Sequence, residues 1–296
     1  MQAGDTTTGT IKVEMIKTPI NDDVSTSVTG TLKATAMEND NATGTNPKSK
    51  VAYNPVSFQT DSWSTIQNAV QDNNTSVYNV GDTKEITIDG TNYTVRIANK
   101  STNENCSSTN YSESSCGFVV EFVDIVENRI YDENYNKWSN SSMNNYLQTT
   151  FYNKLPQDLK DAIIPTRVYS TFVTSSGEGI LNVDTRGDYS SGDKIYLLDI
   201  GKIVTSSFIP SPSIRQLDCY AAENIRTADD NFQVMNIDKA YKKYQGNDNI
   251  YWLRSDIYHT SQEKYFISVI DPLYQLGYNG HLPNCNNGIA PAFRIG

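Results

Sequence analysis

His259 and His281 are the only histidines in 296 residues. Zinc-peptidase pairs, multi-histidine metal centres and most Ser-His-Asp triads need imidazoles in numbers or spacings that this chain lacks. It also has no Gly-Lys-Ser/Thr phosphate loop, no Gly-x-Ser-x-Gly elbow and no dinucleotide glycine fingerprint. Carboxylates are plentiful, at 34 Asp and Glu, so counting leaves room for a glycosidase pair, yet no motif singles one out. Glu121 and Asp124 read as strand-end or network carboxylates. Asp184, Asp188 and Asp193 form a loose oxygen-rich group in a Gly-containing stretch, short of a calcium loop. The four cysteines are Cys106, Cys116, Cys219 and Cys285. No two are spaced Cys-x-x-Cys, which argues against zinc and thioredoxin-like chemistry. Cys106 and Cys116 bracket one polar loop, and a disulfide between them is expected, with an oxidising compartment as its corollary. Two reduced thiols are the alternative. No catalytic group, metal or cofactor is therefore expected.

What remains for recognition is aromatic. The chain holds 19 Tyr, and Tyr258, Tyr265, Tyr274 and Tyr278 fall in one segment, Asp256 to Asn287, with both histidines and Cys285. Asp271-Pro272, Asn279-Gly280 and Asn286-Asn287-Gly288 mark turns in it. Tyr265 to Ile270 is its one strand-like run. The flanks Tyr251–Ser255 and Gly288–Ile295 read as short buried strands. Two framework strands thus bracket a turned surface segment, where binding residues concentrate. Tyrosine gives a large, rigid contact area with a polar tip; ordinary loop tyrosines are the plainer reading. Trp252 and Arg254 read as a core aromatic and a framework arginine bridging backbone carbonyls or a buried carboxylate.

Elements that position this segment are legible upstream. Residues 1–55 are rich in Thr, Asn and Asp, with alternating runs at Thr10–Met15 and Val28–Ala36, and read as a small β-rich region or stalk. A helix is expected from Asp61 or Ser62, with Trp63, Ile66, Ala69 and Val70 on one face. Asp89-Gly90 between alternating runs predicts a hairpin. Cys116 to Asp124 predicts a strand buried on both faces. Trp138 to Ile164 predicts two helices broken at Pro156 and stopped by Pro165. Met143, Tyr146, Leu147, Thr150 and Phe151 form the inner face of the first helix. The pair needs a sheet to pack on, and Phe118–Val123 and Lys194–Leu198 supply it. Ser170 to Asp193 reads as a loop. The hydrophobic share, 37%, is modest, but its aromatic part can build a core. A net charge of −10 disfavours nucleic acid. No apolar run reaches membrane length.

Several stretches resemble a known family. Trp252-Leu253-Arg254-Ser255 with the closing Gly288-Ile289-Ala290-Pro291-Ala292-Phe293-Arg294 resembles the C-type-lectin-like domains of a bacterial surface-protein family. So do Tyr78 to Lys84, Val95 to Asn99, Cys116 to Phe122, Asp193 to Leu198 and Arg215 to Tyr220, where Cys219 stands in place of an aromatic residue. The closing strand also resembles the variable proteins of diversity-generating retroelements. The resemblance implies an α+β, C-type-lectin-like domain over residues 56–296, with two main helices packed on mixed or antiparallel short-stranded sheets. The β-rich region 1–55 precedes it. It implies a non-enzymatic binding protein, extracellular or on a cell surface, whose signal or anchor lies outside this sequence. Its ligand would be a protein or glycan on another cell or particle. The candidate ligand-binding positions, hypervariable if the retroelement resemblance holds, are Asp256, Ile257, Tyr258, His259, Thr260, Ser261, Tyr274, Leu276, Tyr278, Asn279, His281, Leu282, Asn284 and Cys285. Most carry residue types reachable by adenine mutagenesis of asparagine codons; Gln262, Glu263, Lys264 and Gln275 are not. The calcium-dependent lectin tripeptides Glu-Pro-Asn and Gln-Pro-Asp are absent. The alternatives are a structural or pilus-type subunit, a glycoside hydrolase, or a formylglycine-generating-like oxidase using Cys219 and Cys285 together.

Overall fold

A computed structural model describes residues 53–100, 111–112, 117–175, 181–203, 217–220, 237–273 and 278–296. The chain divides into Met1–Lys50 and Val51–Gly296, and the described residues all belong to the second unit. The expected N-terminal strands, the Cys106–Cys116 disulfide, Tyr274 and Leu276 lie outside the described residues.

Helix α1, Trp63–Gln71, begins where Ser62 caps it by accepting a hydrogen bond from the Thr65 amide at 3.1 Å. Its buried face is Trp63, Ile66, Ala69 and Val70, as the periodicity predicts. Strands β1 (Thr83–Ile88) and β2 (Thr91–Lys100) form the expected hairpin. Asp89 and Gly90 both have positive φ, 50° and 81°, the type I′ geometry that matches strand twist. After β3 (Tyr111–Ser112), β4 (Phe118–Phe122) is buried at every residue. Gly117 just before it has φ 71°, and a Cβ there would lie 2.0 Å from the Ile295 carbonyl oxygen. Only glycine lets the two strands close at this end.

The remaining elements are β5 (Glu127–Ile130), α2 (Ser142–Tyr146), α3 (Tyr152–Lys154), α4 (Gln157–Ala162), β6 (Thr166–Ser175), β7 (Leu181–Asp193), β8 (Ile195–Tyr196), α5 (Ile200–Ile203), α6 (Ile237–Ala240), β9 (Lys242–Tyr244), β10 (Asn247–Asn249), β11 (Tyr251–His259), β12 (Lys264–Ile270), β13 (Tyr278–His281), β14 (Asn286–Ile289) and β15 (Ala292–Ile295). The class is α+β, and strands dominate. One antiparallel sheet runs β1-β2-β4-β15-β8. A second, mixed sheet runs β13-β12-β11-β14-β5, with β6 also paired to β11 and flanked by β7 and β3. β12 occupies one edge of β11 from end to end. The other edge takes Gly288 of β14 at Tyr251, then β6 from Asp256 onward. No helix among the described residues is long and apolar enough to cross a membrane.

Two expectations are corrected. Ser170 to Asp193 is not a loop: it contains most of the β6–β7 pair, registered from Thr166↔Asp193 to Ser175↔Leu181. Its polar residues disguise strands that need only one apolar face. Asp188 accepts the Ser139 amide and Asp193 the Trp138 indole N–H, so these carboxylates serve the neighbouring helix start. The helical region also differs in phase. Ser141 caps α2, but Leu147–Phe151 forms a π-helical turn. The extra residue in that turn keeps Leu147 and Phe151 buried and swings Thr150 out to solvent. Gln148 pins this turn to the sheet: its amide donates to the Ile195 carbonyl and accepts from the Lys194 amide. Phe122 and Phe151 meet edge to face with ring centroids 5.8 Å apart, so the helices pack on the expected strands.

Leu147 has no exposed surface. Leu147→Asp should cost about 3–5 kcal/mol, because it strands a charge in that core. Thermal unfolding is the measurement, and unchanged melting would contradict the packing.

Candidate functional site

Two of the buried carboxylates, Glu121 and Asp256, have no exposed surface at all, and they are opposites. Glu121 on β4 is fully buried and fully partnered. Its Oε1 accepts from Arg96 Nε at 2.9 Å, and its Oε2 accepts from Lys242 Nζ at 3.0 Å and Tyr220 Oη at 2.7 Å. Burial alone would raise this carboxyl; the Arg96 guanidinium and Lys242 ammonium outweigh it and hold it down at about 2. Cys219 lies against the same carboxylate, Sγ to Oε1 3.6 Å, and burial pushes its thiol up, away from nucleophilic use. The site is satisfied and closed, the network role expected for Glu121.

Asp256 is fully buried on β11, with neither carboxylate oxygen hydrogen-bonded. Burial pushes its pKa up to about 8; Asp188 and Asp199 add to this, while Lys137 opposes it. The Tyr135 hydroxyl is near enough to favour the ionised form but falls outside hydrogen-bonding geometry. At neutral pH the group is a largely protonated acid sealed from solvent, out of reach of any substrate.

This overturns part of the surface expected from the sequence. Asp256 and Ile257 were expected on a ligand-contacting loop, but they are 0% and 5% exposed. β11 continues to His259, and Asp256 lies between Phe172 of β6 and Ile267 of β12. Edge pairing alone does not bury a side chain, since Tyr258 and His259 are paired on both edges too; at Asp256 and Ile257 the two faces of the sheet are also covered. The remaining candidates divide by place. Tyr258 and His259 are half-buried at the strand end, while Thr260 and Ser261 are exposed in the turn that follows. Asn279 and His281 are half-buried in β13, where the His281 ring sits 3.0 Å from the Asn287 amide and edge-on to Trp252. Tyr278 is in β13, with its side chain outside the described residues. Leu282 and Asn284 are exposed; Cys285 is half-buried and, like the buried Cys219, a free thiol. Trp252 and Arg254 are framework residues as expected. The Trp252 indole donates to the Arg129 carbonyl at 2.7 Å, and Arg254 donates to the Leu197 and Tyr169 carbonyls.

Alternation then builds an aromatic surface. Tyr258 and Tyr265 are directly opposed across β11 and β12, so they share a face. Their rings are 4.9 Å apart. Tyr135, from the loop after β5, stacks on Tyr265 at 4.3 Å and 19°. Phe172 meets Tyr265 edge to face at 6.2 Å. The Arg186 guanidinium lies 4.2 Å from the Phe172 ring centre and 5.6 Å from that of Tyr258. Beside the stack is an open depression of about 350 Å³, lined by Glu133, Asn134, Tyr135, Glu263, Lys264, Tyr265, Leu282, Pro283 and Asn284. Sequence reasoning reached Tyr258, Leu282 and Asn284 of this surface. It named Tyr265 only as a tyrosine of interest and missed Glu133, Asn134, Tyr135 and Arg186, which come from far upstream. No signal in the linear order connects residue 135 to residue 265. Among the described residues, no group of three His, Cys, Asp or Glu side chains is gathered as a metal ion requires.

The two carboxylates give opposite pH dependences. Glu121 has a folded pKa below its ordinary 4.5, so its stabilisation is present above that value and lost as pH falls toward 2. Asp256 has a folded pKa above its ordinary 3.8, so stability falls as pH rises from about 4 to about 8 and then levels. Asp256→Asn should remove the alkaline-side loss, worth roughly a few kcal/mol at neutral pH. Glu121→Gln should cost about 3–5 kcal/mol by leaving Arg96 and Lys242 uncompensated. Melting curves from pH 3 to 9 check both; an Asp256→Asn profile parallel to the parent refutes the first.

The profile of one family, described as a domain of unknown function, DUF6273, matches residues 118–295. That span includes both buried carboxylates and the whole aromatic surface. No curated protein and no solved structure matches the chain. With more than half of its length matched, from the buried strand β4 to the closing strand β15, this chain belongs to the DUF6273 family.

Proposed function

We propose that residues 56–296 are a non-enzymatic, C-type-lectin-like ligand-binding domain, displayed outside the cell or on its surface. The binding site is the aromatic surface of Tyr135, Tyr258 and Tyr265 with its adjoining depression. Its ligand is a protein or glycan on another cell or particle. The observation that carries this reading is the Tyr135–Tyr265 stack at 4.3 Å forming a wall of an open depression. Stacked rings present rigid, amphipathic area that loses little conformational entropy when a ligand docks. Glu121 and Asp256 have no exposed surface, so neither carboxyl is open to a docked ligand. Diversification by a retroelement, within this proposal, is confined to Tyr258–Ser261 and Asn279–Cys285 together with the 274–278 stretch. Asp256 and Ile257 are excluded, because random side chains there would break the core.

The test is a binding screen of the full chain against a panel of glycans and cell-surface proteins, followed by Tyr265→Ala and Tyr258→Ala. Each substitution should weaken binding of a captured ligand by about 2 kcal/mol, while melting shifts by only a few degrees because both rings are partly exposed. Unchanged affinity in both variants, with the fold intact, would place the site elsewhere.

A further inference from the structure

We infer that the depression beside Tyr135 and Tyr265 receives a cationic group: the ammonium or guanidinium of a basic side chain on a protein or peptide ligand. This rests on the ligand-binding proposal above and names the ligand class. The wall is aromatic, and the faces of tyrosine rings carry negative potential that attracts cations. Other rings of the same aromatic surface already hold one cation from the chain itself, since the Arg186 guanidinium lies over Phe172 at 4.2 Å and near Tyr258 at 5.6 Å. The lining itself carries two exposed carboxylates, Glu133 and Glu263, against one ammonium, Lys264. The chain as a whole has a net charge of −10, which steers basic partners toward it. A neutral sugar would use the rings and donate hydroxyl hydrogen bonds to Glu133 and Glu263, but only a cation gains the charge attraction of both carboxylates.

The experiment uses the full chain with 13C-labelled tyrosine rings, followed by NMR. The probes are N-acetyl-lysine methylamide and N-acetyl-arginine methylamide, with N-acetyl-norleucine methylamide as the neutral isostere and a neutral disaccharide as the sugar. Both cations should produce saturable shifts at the ring signals of Tyr135 and Tyr265. The response should vanish in Tyr265→Ala and weaken about tenfold in the Glu133→Gln, Glu263→Gln double variant, which leaves every ring in place. Lys264→Gln should bind the same probes more tightly. Absence of any saturable shift with the two cations overturns the inference. Equal shifts with norleucine or the disaccharide also overturn it, while leaving an aromatic ligand site intact. The broader binding proposal fails separately, when a ligand captured by the full chain keeps its affinity in Tyr265→Ala and Tyr258→Ala.

Discussion

The Glu121 carboxylate is the charge around which the domain closes. It lies on the central strand of the five-stranded sheet, fully buried, where an unpaired carboxylate would cost several kcal/mol. It is satisfied only when four segments distant in sequence converge: Arg96 from β2, Tyr220 from the 3-10 turn at Asp218–Tyr220, Lys242 from β9, and β4 itself. Lys242 also donates to the Phe122 and Val123 carbonyls, and the Tyr251 hydroxyl donates to the Ala240 carbonyl. The start of β11, and with it the second sheet, is thereby held to the first. Hydrophobic burial supplies the driving force, but it tolerates many arrangements. A fully paired buried charge tolerates few.

From that anchor the aromatic surface follows by strand geometry. β11 leaves Tyr251 and Trp252 in the core, passes an irregularity before Asp256, and reaches the surface at Tyr258 and His259. Period-two alternation places Asp256 and Tyr258 on one face, which is covered at Asp256 and partly open at Tyr258. The domain keeps that acid without a hydrogen-bond partner, an arrangement that costs stability.

The periodic signals in the sequence were strong where one face of an element meets one core. The α1 face, the Asp89-Gly90 hairpin, the continuous apolar run of β4 and the two framework flanks were all legible because each depends on neighbours in sequence. Reading failed where pattern and environment separate. Ser170 to Asp193 is polar enough to pass for loop, yet its backbone hydrogen bonds are met by pairing within the sheet. Thr150 fits a helical stripe, but one π-helical turn moves it to solvent. Asp256 looks like a surface residue by type alone, and only the packing over its face of the sheet decides otherwise.

By itself, then, the sequence determined that this is an acidic α+β protein with an aromatic-rich C-terminal segment between two buried strands. It also settled which residues of α1 face the core and that β4 is buried at every residue. Local hydrogen bonding and side-chain periodicity carry that information. The tertiary structure alone decided which tyrosines share a surface, that Tyr135 joins Tyr265 across 130 residues of chain, and that of two buried acids one is paired and one is not. Those outcomes depend on which strand edges meet, and edge pairing is a long-range choice that no local pattern encodes.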